Sequence, residues 1–235
     1  MNLNLITKDK RFSSFFWTQF FGAFNDNFFK NALVVIVAFR GLQLMGMDSG
    51  SLVAVAGGLF ILPFFIFSPI AGQFSDKLEK SKLVRLTKKL EILIMLIAAI
   101  GFLFKAYALL LFVLFLMGFQ SALFGPVKYS LIPQLVDEES LIEGNALIEL
   151  GTFLAILLGT IGGGLITSMP SADIIIGIVL VLIAFIGYIA SRGIPKASAG
   201  MPELKINWNA FAEYKSLWKI ISEKKVIFNL SLIHI

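Results

Sequence analysis

FFGAFNDNFFKNALVVIV, residues 20–37, is apolar at both ends and polar in the middle, where Asn25, Asp26, Asn27, Lys30 and Asn31 interrupt it. Its meaning depends on the rest of the chain. Of the 235 residues, 57% are hydrophobic and only 15% are charged, and the mean hydropathy is +0.87. A soluble domain usually carries about a quarter charged residues. This composition marks an all-α integral membrane protein, because a chain crossing lipid must satisfy every backbone N–H inside its own segment. Residues 20–37 then belong to a spanning helix, and its mid-membrane charges, costly to bury, are candidates for function.

Outward from this stretch, six long apolar segments follow one another at about 13–40, 50–76, 83–104, 108–136, 141–168 and 173–191. Each reaches the roughly 20 residues needed to cross a bilayer core as a helix. The breaks GMDSG, DKLEKSK, DEES and SMPSAD separate them, and between the third and fourth only Lys105 intervenes. The 20 basic residues are unevenly placed. Lys8, Lys10 and Arg11 precede the first helix, and Lys77, Lys80, Lys82, Arg85, Lys88 and Lys89 cluster between the second and third. Arg192, Lys196, Lys205, Lys215, Lys219, Lys224 and Lys225 follow the sixth, leaving only Arg40 and Lys105 opposite and Lys30 and Lys128 inside helices. Positive charge is retained on the cytoplasmic face, so the N-terminus is expected in the cytoplasm, with the chain returning there after six spans. The distribution of the basic residues behind the net charge of +5 thus sets orientation and does not point to nucleic acid. A basic start followed by an apolar run is also the pattern of a signal peptide, but here the apolar run continues past residue 30 with no small-residue cleavage site, against that reading.

The expected organisation is a six-helix bundle over 1–192, a basic cytoplasmic linker over 193–225, and the start of a seventh helix over 226–235. In the linker, Trp208, Phe211, Leu217, Trp218 and Ile221 interleave with Lys and Glu, as in an amphipathic helix on a membrane surface. The apolar run that opens at Val226 makes the chain read as part of a larger protein.

At 100° per residue, Gln19, Ala23, Asp26 and Lys30 form a narrow stripe on the first helix, flanked by Asn27 and Asn31, while Asn25 lies well off it. Asp26 and Lys30, spaced i,i+4 with the acid first, are suited to neutralise each other, but that leaves the amides unexplained. On the fourth helix, Ser121, Gly125 and Lys128 share a face, and Pro126 removes an N–H and favours a kink. Lys128 lies about nine residues from the cytoplasmic interface, roughly 13 Å, too far for its stem to snorkel. On the fifth helix, Asn145, Glu149, Thr152, Gly159 and Gly163 share a face. Its GTIGGGLI run reads as a close-packing surface, and Glu149 is a rival to Asp26 as the partner of Lys128. Helices one and four, the first of each group of three, both carry a mid-membrane polar interruption, which is a pointer to a transporter site.

The chain has no Cys and a single His, His234. Thiolate and His-based metal sites and a Ser-His-Asp triad are excluded, and no HxxxxD acyltransferase motif is present. The chain is therefore not expected to be an enzyme, and no cofactor is expected.

With six helices, the loop GQFSDKLEKSK and a long linker, the chain resembles the N-terminal half of a major facilitator superfamily transporter, built of 3+3 inverted repeats. Gly72, Asp76, Lys77, Lys80 and Lys82 match the superfamily's loop pattern, and Glu79 stands where a second glycine is usual. Within the superfamily, FFGAFNDNFFKNAL and ALFGPVKYSLIPQLV resemble the lysophospholipid transporter family, whose members occur free or fused to acyltransferase and acyl-ligase domains. The resemblance implies a twelve-helix protein with a cavity between two halves, lined in this half by helices one and four. It implies flipping of lysophospholipids from the outer to the inner leaflet of a bacterial inner membrane for re-acylation. The partners implied are the substrate, membrane lipids, a C-terminal transporter half, and an acyltransferase or acyl-ligase, separate or fused. A transporter of another solute, a drug or a small anion, is the alternative. In the lipid reading Lys128 meets the phosphate and Asp26 the amine or a coupling cation. Asn25, Asn27, Asn31 and Gln120 supply neutral hydrogen bonds, and Lys30 and Glu149 complete the charged set. Without substrate, Asp26 pairs with Lys128, and Gly72, Asp76 and Lys77 form a conformational latch on the cytoplasmic side.

Overall fold

The computed structural model describes residues 4–44 and 46–223. The expected helix start at 226–235 lies outside the described residues. Among these, the regular structure is helical. A short turn, α1 (Asn4–Thr7), precedes six long helices: α2 (Lys10–Phe39), α3 (Ser49–Lys77), α4 (Lys80–Leu103), α5 (Tyr107–Leu135), α6 (Leu141–Ile166) and α7 (Ala172–Arg192). The linker carries α8 (Ala210–Glu223). The long helices coincide with the six apolar segments to within a few residues.

Local chemistry sets the ends. Asp9 starts α2 by accepting from the N–H of Arg11 (2.8 Å) and of Phe12 (3.4 Å), Asp48 starts α3 through Ser51 (3.3 Å), and Glu79 starts α4 through Ser81 (3.1 Å). Each satisfies a donor that the first helical turn leaves free. The break between α4 and α5 is a Schellman closure. Lys105 adopts φ 51°, its N–H meets the Phe102 carbonyl (3.0 Å), and the Ala106 N–H meets that of Gly101 (2.8 Å). Glycine is usual at this left-handed position, so the lone lysine between two apolar runs is a true stop. Helix α5, by contrast, stays continuous through Pro126 and Pro133.

Helix α2 packs along α6 and α7, α3 along α5, and α4 along α7 and α5. Glycines allow the closest approaches. A Cβ on Gly159 would sit 2.5 Å from the Phe24 carbonyl oxygen, and one on Gly163 would collide with that of Phe28, so GTIGGGLI is the α6 surface against α2. Two buried apolar clusters result. One, with Phe12, Leu83, Leu135 and Leu147, lies at the end rich in basic residues; the other, with Ile36, Leu52, Phe102 and Leu110, lies at the opposite end. Around the bundle, Leu93, Leu96, Leu157, Ile178 and Phe185 are exposed, as suits a surface that meets lipid. Helices α3, α5 and α7 and the segment Glu138–Ile166 are long and apolar enough to cross a membrane. Helices α2 and α4 carry charges that fall within the bundle.

The linker lies against the basic end. Ile194 and Ala197 are buried in its apolar cluster, Lys80 N–H donates to the Ala197 carbonyl (3.0 Å), and Met201 N–H donates to that of Asp76 (2.8 Å). Gln73 binds Asn207 through donor and acceptor (3.1 and 2.6 Å). The Tyr214 hydroxyl donates to the Phe65 carbonyl (2.6 Å), which Pro69, lacking an N–H, leaves without its helical donor. Helix α8 thus touches α3 about 18 Å along its axis from Lys77, whereas the sequence suggests a helix lying on the membrane surface.

Gly163→Ala should cost about 1–3 kcal/mol by overpacking and lower the unfolding temperature in detergent. Gly57→Ala, where a Cβ meets nothing within 4 Å, should not lower it.

Candidate functional site

Between the two apolar clusters lies a polar layer drawn from α2, α4, α5 and α6. It borders a cleft of about 330 Å³ lined by Gln19, Asp26, Lys88, Gln120, Lys128 and Thr152, with Phe64, Phe124 and Tyr129 among its apolar walls. The cleft is open on one side, where Tyr129 is 55% exposed and the Glu149 side chain 41% exposed.

Three groups of side chains meet there. On the α5–α6 side, Lys128 Nζ donates to Glu149 Oε1 (3.1 Å) and to Thr152 Oγ1 (3.1 Å). The Tyr129 hydroxyl donates to the same Glu149 oxygen (3.0 Å). Thr152 Oγ1 lies 2.9 Å from Gln19 Oε1, and Gln19 Nε2 donates to the Ile148 carbonyl (3.1 Å), tying α2 to α6. Lys128 therefore pairs with Glu149, not with Asp26. On the α2–α5 side, Asp26 Oδ2 accepts from the Ser121 hydroxyl (2.6 Å). Lys30 turns instead to Asn27 Oδ1 (3.1 Å) and to the face of Phe60 (5.2 Å), so the expected neutralisation of Asp26 by Lys30 is not formed. Asp26 faces the cleft with a hydroxyl as its partner and both lysines engaged elsewhere.

The charged pair of the third group is absent from the sequence-based candidates. Lys88 and Glu91 of α4 form an ion pair of 2.7 Å with side-chain exposures of 1% and 2%. Lys88 also lies over the Phe124 ring, 5.5 Å from its centroid. Glu91 Oε1 accepts from Asn25 Nδ2 (3.2 Å), and the same amide reaches the Leu180 carbonyl (3.3 Å). The sequence places Lys88 in the basic cluster between helices. It stands instead roughly 12 Å inside α4 from Lys80. The signal available was Glu91, an isolated acid in an apolar run and three residues from Lys88, the spacing of facing side chains on a helix.

The remaining candidates divide. Gln120 lines the cleft, with Oε1 3.3 Å from the Ser121 hydroxyl. Asn25 is fully buried and faces α4 and α7, away from the cleft, because it lies off the stripe that carries Asp26. Asn27 donates to the Ala23 carbonyl (2.8 Å) and Asn31 to the Thr160 carbonyl (2.7 Å), so both amides serve helix contacts. Gly72, Asp76 and Lys77 stand at the basic end of α3, far along the helix from the cleft. There Glu79 accepts from the Ala197 N–H (3.2 Å) as well as capping α4.

Asn25→Ala should cost about 1–3 kcal/mol, since it leaves a buried carboxylate oxygen of Glu91 without the Asn25 donor. Thermal unfolding should show a larger loss than Asn31→Ala, whose amide serves one half-buried contact.

With the geometry described, similarity to known proteins can be placed beside it. The family model described as Major Facilitator Superfamily matches residues 6–235. The chain is similar to the lysophospholipid transporter LplT of Yersinia enterocolitica, 29% identical over 185 residues, covering 77% of this chain and 41% of that protein. It is also similar to the LplT of Photorhabdus laumondii, 29% identical over 183 residues, 77% of this chain and 42% of that protein. With that of Escherichia fergusonii it shares 26% identity over 208 residues, 86% of this chain and 48% of that protein. The chain spans less than half the length of these relatives.

Proposed function

The chain belongs to the major facilitator superfamily, and from that premise we propose that it forms the N-terminal six-helix half of a secondary transporter. Its cargo in this reading is lysophospholipid, moved from the outer to the inner leaflet of a bacterial inner membrane for re-acylation. The observation that carries the reading is the cleft: ammonium and carboxylate groups converge mid-bundle, open on one side and walled by aromatic rings. A single-tailed lipid needs such a mixture, because its charged headgroup must have polar partners at a depth where lipid tails offer none. The names of the relatives point the same way.

The helix pairing supports an internal 3+3 repeat. Exchanging the triplet α2–α4 for α5–α7 turns the α2–α6 contact into α5–α3, the α2–α7 contact into α5–α4, and returns α4–α7 to itself. All are principal contacts of the bundle. The basic ends of the helices support a cytoplasmic N-terminus. The greater length of the relatives supports a second six-helix half that closes the open side of the cleft.

In this mechanism the arriving phosphate displaces Glu149 from Lys128, and the amine or a coupling cation binds Asp26. The aromatic walls hold the acyl chain without specific chemistry. Conformational exchange occurs at the basic end, where Gly72, Asp76 and Lys77 act as a latch against the linker bound to the Asp76 carbonyl. An acyltransferase or acyl-ligase, separate or fused, then consumes the delivered lipid.

Two measurements test the reading. Reporter fusions at Leu78 and Ala199 should report cytoplasm and those at Gly46 and Ser171 the opposite side; an external signal from Leu78 removes the six-span arrangement. In the full-length protein, Asp26→Asn and Lys128→Gln should each reduce lysophospholipid uptake by roughly tenfold or more with expression maintained. Asp26→Asn combined with Lys30→Gln should be no better than Asp26→Asn alone, since Lys30 is bonded to Asn27. Full uptake by a well-expressed Asp26→Asn protein refutes the role of this carboxylate.

A further inference from the structure

Lys88 borders the cleft, whereas its counter-ion does not. The Glu91 carboxylate is turned away from the cleft and tethered by the Asn25 amide, which is itself anchored to the Leu180 carbonyl. The ammonium is one step nearer the cavity, between Phe124 and the backbone of α2. Helix α2 is cut away to admit it: a Cβ on Gly22 would collide with Lys88 Nζ. A pair that served packing alone would not need its ammonium to line the cleft. An ammonium has three donors, and among the described residues Lys88 Nζ donates one hydrogen bond, to Glu91 Oε2.

The geometry points to Lys88 as a second anion-binding group of the cleft, taking the headgroup phosphate together with Lys128, with Glu91 as the counter-charge that the phosphate shares it with. This rests on the lysophospholipid reading above. A phosphodiester spreads one negative charge over two non-bridging oxygens, one for each ammonium. The α4 and α5 sides then present matching devices: Lys88 with Glu91, and Lys128 with Glu149. Each lysine is neutralised in the empty state, so neither charge is stranded there; Lys128 exchanges Glu149 for the cargo, whereas Lys88 keeps Glu91 and adds the phosphate through its remaining donors. The difference lies in the carboxylates. Glu149 is partly exposed at the mouth of the cleft, whereas Glu91 is buried and held, so Glu91 competes with the phosphate throughout binding.

The test uses the full-length protein reconstituted in vesicles, with an ethanolamine-headgroup lysophospholipid as the transported probe and a monoacylglycerol, which lacks phosphate, as competitor. Glu91→Gln should lower KM for the probe severalfold by freeing Lys88. Lys88→Met with Glu91→Gln removes both charges, which spares the fold the cost of an unpaired buried ion. It should raise KM roughly tenfold or more, the loss of one charge-assisted hydrogen bond, and leave inhibition by monoacylglycerol unchanged. Gly22→Ala, which displaces the ammonium without altering any charge, should raise KM in the same direction and is the deciding variant if the double variant does not fold. A wild-type KM in the folded double variant or in Gly22→Ala makes Lys88 a structural cation and overturns the inference. So does an unchanged or raised KM in Glu91→Gln. If the wild-type protein takes up no lysophospholipid, the transport reading itself fails, which separates the two outcomes.

Discussion

An ammonium and a carboxylate buried together inside a helical bundle constrain everything around them, because separating them strands a charge at a cost of about 3–5 kcal/mol. Lys88 and Glu91 impose that constraint here. Three helices meet at the pair: α4 supplies both ions, α2 supplies the Asn25 amide, and α7 supplies the Leu180 carbonyl on which that amide rests. Gly22 and Gly187 leave room for the lysine from either side. The rotation of α2 follows. With Asn25 held toward α4 and α7, the next residue is carried about 100° around the helix, and Asp26 faces α5 and the cleft. The polar layer, and its separation of the two apolar clusters, is the result of this registry.

The helices were legible because hydropathy alone marks where a backbone is able to cross lipid, and the break at Lys105 because it alone interrupts the apolar run; the caps Asp9 and Asp48 were not singled out. The glycine face of α6 was legible because small residues at i,i+4 have few uses on a membrane helix other than close approach. Partner choice was not. Whether Lys128 reaches Asp26 or Glu149, and whether Lys30 turns to Asp26 or Asn27, depends on rotations and offsets between helices that no single-helix pattern contains. Asn25 was assigned to the headgroup although the helical wheel already placed it off the stripe; its neighbours on α4 decide its role. Lys88 was hidden by its company, since a lysine in the first turns of a spanning helix looks the same whether it snorkels out or folds inward.

Glu79 shows how a departure from a family pattern acquires a physical reason. Where the superfamily loop usually has a second glycine, this chain places a carboxylate that does two tasks. It caps α4 through the Ser81 N–H, and it accepts from Ala197 in the linker. Arg85 adds a bond from α4 to the Ile194 carbonyl (2.7 Å), and Gln134 adds one from α5 to that of Ser198 (3.2 Å). The linker is thus fastened to α3, α4 and α5 by backbone groups, whose bonding is insensitive to which side chains the linker carries.

The charges of the polar layer also balance: Lys30, Lys88 and Lys128 stand against Asp26, Glu91 and Glu149. By formal charge the layer is neutral. Moving one elementary charge across a membrane potential changes its energy by about 2.3 kcal/mol per 100 mV, and a neutral layer gives that field nothing to act on as the unloaded bundle reorients. In the transport reading, the net charge that the field meets at this half's polar layer is therefore that of the cargo and any accompanying cation.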